Sequence, residues 1–409
     1  MEIKNINIED QPLTIISTYG RVAHGKSSLI KVLTGINPMK YKKEAEKNMT
    51  IKLGYTNCKF YKCDVCPDPY CYQTTDKCTQ CDKKTELKLH VSFVDSPGHS
   101  DLQTTALSGA SSVDFCLLLV AANSDEDKET DEHYKAIKIL NLLDKTFIIH
   151  NKIDLVKEQE ALEHFCKLKE KYSIKNIIPI CAQFGFGINY LIKLLIEKIP
   201  NPLNSTLFNK INLPLKLTII RSFDVNKVGI PVENIVGGVV GGTIKTGSIK
   251  IGDTVKIIPG IILSDGTVRP IISQVLSLKT DNTNLDYAYP GGLIGVGLSV
   301  DSVLTKEDRL VGNFIVDIND TENKIYKKAT IKYEDYDDTE PNIFKVNEMY
   351  TLMLGSTKRT IKIILADNKN KSITFETQIV MASSIEDSIV ITKNNKILAY
   401  GNITKIFDY

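Results

Sequence analysis

The run Gly20-Arg21-Val22-Ala23-His24-Gly25-Lys26-Ser27 holds the residues of this chain best suited to phosphate chemistry. It fits the pattern G-x-x-x-x-G-K-[ST], in which a glycine-bounded loop turns its backbone N–H groups toward an anion. Before it lies Leu13-Thr-Ile-Ile-Ser, a β-branched run that reads as a buried strand, and after it Ser28-Leu-Ile-Lys-Val-Leu carries helical spacing. A helix start behind the loop adds its dipole to the attraction for phosphate. Lys26 is then placed to reach the β- and γ-phosphates of a nucleoside triphosphate, and Ser27 to offer its hydroxyl to Mg²⁺. Gly20, Val22, Ala23, His24, Gly25 and Ser28 line the same loop and helix start.

The base is chosen elsewhere. Asn151-Lys152-Ile153-Asp154 follows an apolar strand 125 residues beyond Lys26. A carboxylate at Asp154 accepts two hydrogen bonds from the N1–H and exocyclic amine of guanine, a donor pair that adenine lacks, so unpaired-donor costs favour guanine. Asp95-Ser-Pro-Gly98 closes another strand. Asp95 is suited to hold a Mg²⁺-bound water, and the Gly98 N–H to bond the γ-phosphate and register its loss. The imidazole of His99 comes next, where it orients or polarises an attacking water, or else is a loop histidine without a role. Lys26, Asp95, Gly98 and His99 are thus the expected catalytic set. Thr50 is one of several threonines whose hydroxyl could complete the Mg²⁺ shell.

Six of the nine cysteines fall between Cys58 and Cys81. Cys63-x-x-Cys66 and Cys78-x-x-Cys81 form two hooks separated by 11 residues. The x₂ spacing brings both sulfurs of a hook to one tetrahedral ion, and two hooks complete a Cys₄ zinc site with no open catalytic position. Free thiols are the alternative, and Cys58 and Cys71 leave the choice of four ligands from six open.

These residues need a frame. Continuous apolar strands at 89–94, 115–122, 146–150 and 177–181 alternate with helical patterns at 130–142, 158–172 and 188–199, which means a mostly parallel sheet covered on both faces. Pro200-Asn-Pro-Leu-Asn-Ser reads as a linker. Beyond it strands recur at short spacing with glycine turns, as a closed antiparallel barrel requires, and a second all-β segment begins near 325. The expected division is 1–205 for the nucleotide domain with a cysteine knuckle at about 58–84, then 206–320 and 321–409 for two β-barrels. Glu334-Asp-Tyr-Asp-Asp-Thr-Glu340 reads as an exposed loop. The formal net charge of +2 predicts no strong whole-chain affinity for nucleic acid, though it leaves room for a local basic patch. No apolar run is long enough to span a bilayer and no secretory signal is evident, so no membrane association and a cytoplasmic location are expected.

Glu46-Lys-Asn-Met-Thr50-Ile-Lys-Leu-Gly-Tyr55, together with Val22-Ala-His-Gly25-Lys26 and the cysteine insertion after it, resembles the gamma subunit of eukaryotic and archaeal translation initiation factor 2. The likeness continues through Arg221-Ser-Phe-Asp-Val-Asn-Lys227, Gly237-Gly-Val-Val-Gly-Gly242, Pro290-Gly-Gly-Leu-Ile-Gly-Val-Gly297 and Asp308-Arg-Leu-Val-Gly312, and so spans nearly the whole chain. The resemblance implies a GTPase domain followed by two β-barrels. It implies a GTP form that binds methionyl initiator tRNA and delivers it to the small ribosomal subunit, and a heterotrimer with alpha and beta subunits. Activating and nucleotide-exchange factors are further implied partners. By motif, Thr50 is the switch-one magnesium threonine, Asp95 to His99 open switch two, and Cys181-Ala182-Gln183 stands where the family has Ser-Ala-Gln, whose backbone helps hold guanine. Tyr55 faces either the tRNA or the second domain.

The chain also departs from the family pattern. Arg21 replaces a histidine at an unconstrained position of the phosphate loop, and Ser108 replaces an asparagine. The stretch Asn123-Ser-Asp-Glu-Asp-Lys-Glu-Thr130 is more acidic than its counterpart. An elongation-type GTPase such as the selenocysteine-specific factor shares the implied architecture, but the Lys-Leu-Gly-Tyr run and the cysteine insertion argue against it. A non-hydrolysing scaffold is opposed by the intact Lys26, Thr50, Asp95 and His99.

Overall fold

A computed structural model gives the architecture. It describes residues 6–36, 54–96, 113–124, 128–203, 205–226, 229, 231, 236–263, 267–281, 283–336, 344–394 and 396–407. Thr50, Gly98, His99 and Ser108 lie outside the described residues. The chain divides into two compact units, Met1–Leu207 and Phe208–Tyr409.

The first unit is built on β1 (Thr14–Tyr19), α1 (Lys26–Thr34), β2 (Gly54–Lys62), β3 (Tyr72–Gln73), β4 (Glu86–Asp95), β5 (Phe115–Ala121), α2 (Lys128–Ile139), β6 (Thr146–Asn151), α3 (Glu158–Lys171), β7 (Asn176–Pro179) and α4 (Ile188–Lys198). One seven-stranded sheet runs in the order β3-β2-β4-β1-β5-β6-β7. Strands β4, β1, β5, β6 and β7 are parallel, and β2 and β3 add an antiparallel edge. The apolar runs are continuous because both faces are covered. Leu117 and Leu119 of β5 pack on one face with Leu29 and Leu33 of α1 and Leu191 and Leu195 of α4. Cys116, Leu118 and Val120 point the other way, toward Ile137 of α2 and Leu168 of α3. The period of two in β5 thus serves two helical layers at once.

The parallel order points the C-terminal ends of β4, β1 and, beyond β5, β6 the same way, which delivers Gly20, Asp95 and Asn151 to one rim. Strands β2 and β3 lie in the region read only as a cysteine insertion, where polar and aromatic residues hide the strand pattern. A short helix α5 (Ser205–Ile211) stands where the linker was expected to give way directly to strands.

The second unit carries two closed rings of antiparallel strands. The first is formed by β8 (Lys216–Phe223), β9 (Val239–Thr246), β10 (Ile249–Lys250), β11 (Thr254–Ile262), β12 (Val268–Thr280), β13 (Thr283–Leu285), β14 (Tyr287–Ala288), β15 (Ile294–Leu298) and β16 (Phe314–Asp317). Pairing of β11 with β12 closes the ring β11-β16-β8-β9-β15-β12. The second is the barrel β17-β20-β19-β18-β21-β22, from β17 (Lys324–Asp335), β18 (Met349–Leu354), β19 (Thr357–Asp367), β20 (Ser372–Ser383), β21 (Ser388–Lys393) and β22 (Lys396–Phe407). Closure leaves neither ring an open edge. Strand β17 extends through Glu334 and Asp335, so the acidic stretch does not begin as an exposed loop. Asp335 follows the inward alternation of Ile331 and Tyr333, and its buried carboxylate pairs with Lys371 at 3.2 Å. Residues 337–340 of that stretch lie outside the described residues.

The two barrels share a core. Ile315 of β16 points into its own barrel, whereas Phe314, Val316 and Ile258 pack with Ile331, Leu352 and Phe375 of the second. Lys216 spans the seam, pairing with Asp387 at 2.8 Å and lying 5.1 Å from the Phe314 ring centroid. Truncating Phe314 to alanine removes a buried ring from this seam and is expected to cost about 3–5 kcal/mol. Urea unfolding of the full chain measures the loss, and a change below about 1 kcal/mol would show that the seam is not a shared core.

Candidate functional site

The phosphate loop joins β1 to α1. Gly20 sits at φ 128°, where a Cβ would run into the Leu119 carbonyl of the neighbouring strand, and Gly25 caps α1 at φ 96°. A Cβ on Gly25 would collide with Asn151 Nδ2. Glycine is required at both positions by conformation and by space. The loop is closed on itself by Lys26, whose ammonium donates to the carbonyls of Gly20 at 2.6 Å and Arg21 at 2.9 Å. Lys26 is 6% exposed. Burial pulls its ammonium down to about 8, partly opposed by the charges of Asp95 and Glu129. Val22 is half-buried, Ala23 and Ser28 are exposed, and Ala23 adopts a positive φ of 67°.

His24 is buried, its Nδ1 3.1 Å from the Leu119 carbonyl and its Nε2 3.3 Å from Ser124 Oγ. Its structural role in seating the loop on β5 is invisible in a motif that allows any residue there.

Asp95 ends β4 with no exposed surface. Thr18 Oγ1 donates to one carboxylate oxygen at 3.0 Å, and Ser27 Oγ donates to the other at 2.6 Å. Ser17 Oγ and Ser96 Oγ bond beside this pair at 3.0 Å. Neighbouring ligands in an octahedral Mg²⁺ shell stand about 2.9 Å apart, so the Ser27 and Asp95 oxygens converge as such a shell requires. Thr18 escaped the sequence reading; its position opposite Asp95 follows from the parallel register of β1 and β4.

Asn151 ties the two nucleotide loops together. Its Nδ2 donates to the His24 carbonyl at 3.0 Å, and its Oδ1 accepts from the Ala182 N–H at 3.1 Å. Lys152 takes a left-handed turn at φ 62°, and Asp154 follows exposed on the short 3-10 turn Ile153–Leu155. Cys181 to Gln183 form the neighbouring loop, with the Cys181 N–H bonded to the Phe186 carbonyl at 3.0 Å and the reverse bond at 3.1 Å. Burial raises the Cys181 thiol, and a hydrogen bond to Asp154 raises it further. The structure therefore brings Asn151, Lys152, Asp154, Cys181, Ala182 and Gln183 to the rim that carries the phosphate loop.

The cysteines resolve into one cluster and two bystanders. The Sγ atoms of Cys63, Cys66, Cys78 and Cys81 all lie within 4.8 Å of one another, with Cys63–Cys81 and Cys66–Cys78 each at 3.6 Å. Zn–S bonds of about 2.3 Å in a tetrahedron put sulfurs about 3.8 Å apart, so the four thiols fit a zinc ion. The thiols share their protons unevenly: the backbone N–H of Gln80 leads in pulling Cys78 down to about 7, while the hydrogen bond to Cys81 leads in pushing Cys66 up to about 12. Among the described residues, the four thiols grouped closely enough to hold an ion are Cys63, Cys66, Cys78 and Cys81; Cys58 faces the Leu33 carbonyl at 3.2 Å, and Cys71 stands outside the group. The knuckle is fastened to α4, with Lys193 pairing to Asp68 at 2.6 Å and Asn189 Nδ2 donating to the Tyr72 carbonyl at 2.6 Å. Tyr55 lies on β2 opposite Val94, part-buried.

Two outcomes follow. Asn151→Ala removes both loop bonds and is expected to weaken GDP binding by at least tenfold, as measured with a fluorescent GDP analogue; an unchanged affinity contradicts the bridging role. A bound phosphate favours the charged form of Lys26, so its pKa rises from about 8 on binding and nucleotide uptake draws in a proton above that pH. GDP affinity is accordingly level below about pH 8 and falls above it by up to about tenfold per unit; a level profile to about pH 9.5 contradicts this account of Lys26.

The comparisons with known proteins agree with this geometry. The family described as Elongation factor Tu GTP binding domain matches residues 11–201. The eukaryotic translation initiation factor 2 subunit gamma of Encephalitozoon cuniculi is 39% identical over 361 residues, covering 84% of this chain and 81% of that protein. The subunit of the same name from Schizosaccharomyces pombe is 37% identical over 388 residues, covering 88% and 85%. Among solved structures, translation elongation factor SelB from Methanococcus maripaludis, in complex with the GTP analogue GPPNHP, has a TM-score of 0.72 over 98% of this chain and 80% of its own. At 20% identity that likeness is one of fold. With identity near 40% running through both units, this chain belongs to the gamma-subunit family of translation initiation factor 2, the translational GTPases that act in initiation.

Proposed function

We propose that this GTPase works as a switch whose output is the binding of methionyl initiator tRNA and its delivery to the small ribosomal subunit. The observation that carries this reading is the double anchoring of Asp95. One carboxylate, closing β4 ahead of Ser96-Pro97-Gly98-His99, is bonded to Ser27 of the phosphate loop and to Thr18 of the central strand. Whatever occupies the phosphate site therefore acts on the segment that starts there.

Ser27 and Asp95, with Thr50, are the residues that would hold Mg²⁺, which supplies charge neutralisation at the β- and γ-phosphates. Lys26 exchanges its bonds to the Gly20 and Arg21 carbonyls for phosphate oxygens. The Gly98 N–H bonds the γ-phosphate, and His99 orients the attacking water. Asp154 reads guanine, with Cys181, Ala182 and Gln183 closing over the base. Cys63, Cys66, Cys78 and Cys81 would hold a structural zinc, tying the end of β2 to the segment that leads into its partner strand β4. Loss of the γ-phosphate releases the contacts of Gly98 and Thr50, and the tRNA surface beside Tyr55 is lost with them. The activating and exchange partners, the alpha and beta subunits and a cytoplasmic location belong to the same reading. So does the division at 205 and 320 into a GTPase domain and two barrels. An elongation-type role is the second reading, favoured only by the fold likeness to SelB.

Filter retention of labelled methionyl initiator tRNA tests the reading. Retention with a non-hydrolysable GTP analogue is expected to exceed that with GDP by at least tenfold, and to exceed that of elongator tRNAs. Equal retention in both nucleotide states contradicts the switch, and preference for an elongator tRNA favours the second reading. His99→Ala is expected to slow single-turnover hydrolysis by about 10²–10⁴-fold in assembled initiation complexes while GTP affinity holds. An unchanged rate removes His99 from the chemistry.

A further inference from the structure

A charged residue of the phosphate loop meets one of α2 in space. Arg21 follows Gly20 in the phosphate loop, and Glu129 belongs to the acidic run 123–130, which enters the first turn of α2. Arg21 Nε lies 3.1 Å from Glu129 Oε2, with the two side chains 47% and 29% exposed. The backbone of Arg21 is part of the phosphate site itself, since its carbonyl accepts from Lys26 at 2.9 Å. Gly20 before it is held against the Leu119 carbonyl. Glu129 sits in the first turn of α2, and Asp131 of the same turn is fastened to the far end of α3. Tyr172 Oη donates to Asp131 at 2.7 Å, and Lys171 Nζ lies 2.9 Å from it. The first turn of α2 thus links the phosphate loop to α3, the helix that follows the guanine motif.

We propose that Arg21 and Glu129 form an electrostatic latch that positions the phosphate loop and sets how fast guanine nucleotide leaves it. Release requires Lys26 and the loop N–H groups to part from the phosphates while the loop relaxes. An ion pair from the loop to an anchored helix turn resists that relaxation. Arg21 is a positioning residue here, acting through the loop and not on the reacting atoms. The latch rests on nucleotide occupying this loop, so each variant is first required to bind GDP in a one-to-one ratio; failure there speaks to the site and not to the latch.

A simple field effect makes an opposite prediction, which makes the latch testable. Without a latch, removing the Arg21 cation speeds departure of an anionic nucleotide and removing the Glu129 anion slows it. With a latch, Arg21→Gln and Glu129→Gln both speed release. A part-exposed ion pair corresponds to about two- to fivefold in rate. The double variant is then no faster than the faster single one, and the charge-swapped pair Arg21→Glu with Glu129→Arg returns toward the parent rate. The experiment is stopped-flow release of a fluorescent GDP analogue from the full chain, at low and at high salt. Unfolding midpoints of all variants are measured alongside, to separate positioning from loss of fold. The advantage of the parent over the single variants is expected to shrink at high salt. Single variants with unchanged rates, single variants shifting in opposite directions, effects that multiply in the double variant, or no recovery in the swapped pair would each overturn the proposal.

Discussion

The Asp95 carboxylate is the contact on which the rest of the site depends. It is fully buried, and a buried carboxylate is tolerated only when its oxygens are satisfied. Thr18 satisfies one and Ser27 the other, so β1, β4 and the start of α1 are tied at a single point. Removing either hydroxyl would take a hydrogen bond from a fully buried carboxylate, a cost of about 1–3 kcal/mol and more for a charged group. The same pair of oxygens is what a hard divalent ion would take, so the interaction that holds the fold at this rim is also the one that a metal would use.

Around that point the site is assembled from loops that the parallel sheet brings to one edge. Asn151 does for the base loops what Asp95 does for the phosphate loop, with one side chain bonding two backbone segments. The cysteine knuckle and the paired barrels belong to the support. Cys63 and Cys78 contribute to the same core as Leu29 and Leu33 of α1, so a tetrahedral ion would stiffen the wall against which the phosphate-loop helix packs. In the second unit, Phe314 and Val316 place the outward face of one barrel in the core of the other.

Much of this was legible in the residues. Phosphate loop, guanine motif and cysteine hooks have fixed spacings because each must wrap one compact ligand, and short-range geometry survives in sequence. The strands of the parallel sheet were legible because burial on both faces makes them continuously apolar, as in Phe115 to Ala121. What escaped depended on register between distant strands. Nothing near Asp95 announces Thr18, and nothing near Asn151 announces the Ala182 N–H. Asp335 was misread for a local reason, since the acidity of its stretch outweighed an inward alternation set by Ile331 and Tyr333. Strand β2 was hidden because Asn57 and Lys59 alternate with the buried Thr56, Cys58 and Phe60, so this antiparallel edge has no continuous apolar run.

The central proposal is that the terminal phosphate, acting through the anchor at Asp95, couples the segment ahead of β2 to the segment behind β4. Amide hydrogen exchange over residues 37–53 and 97–112 tests this most directly, with the full chain saturated by GDP or by a non-hydrolysable GTP analogue. The account predicts that exchange in both segments is slowed together when the γ-phosphate is present, and that Asp95→Asn abolishes the difference. Identical exchange in the two nucleotide states would contradict it.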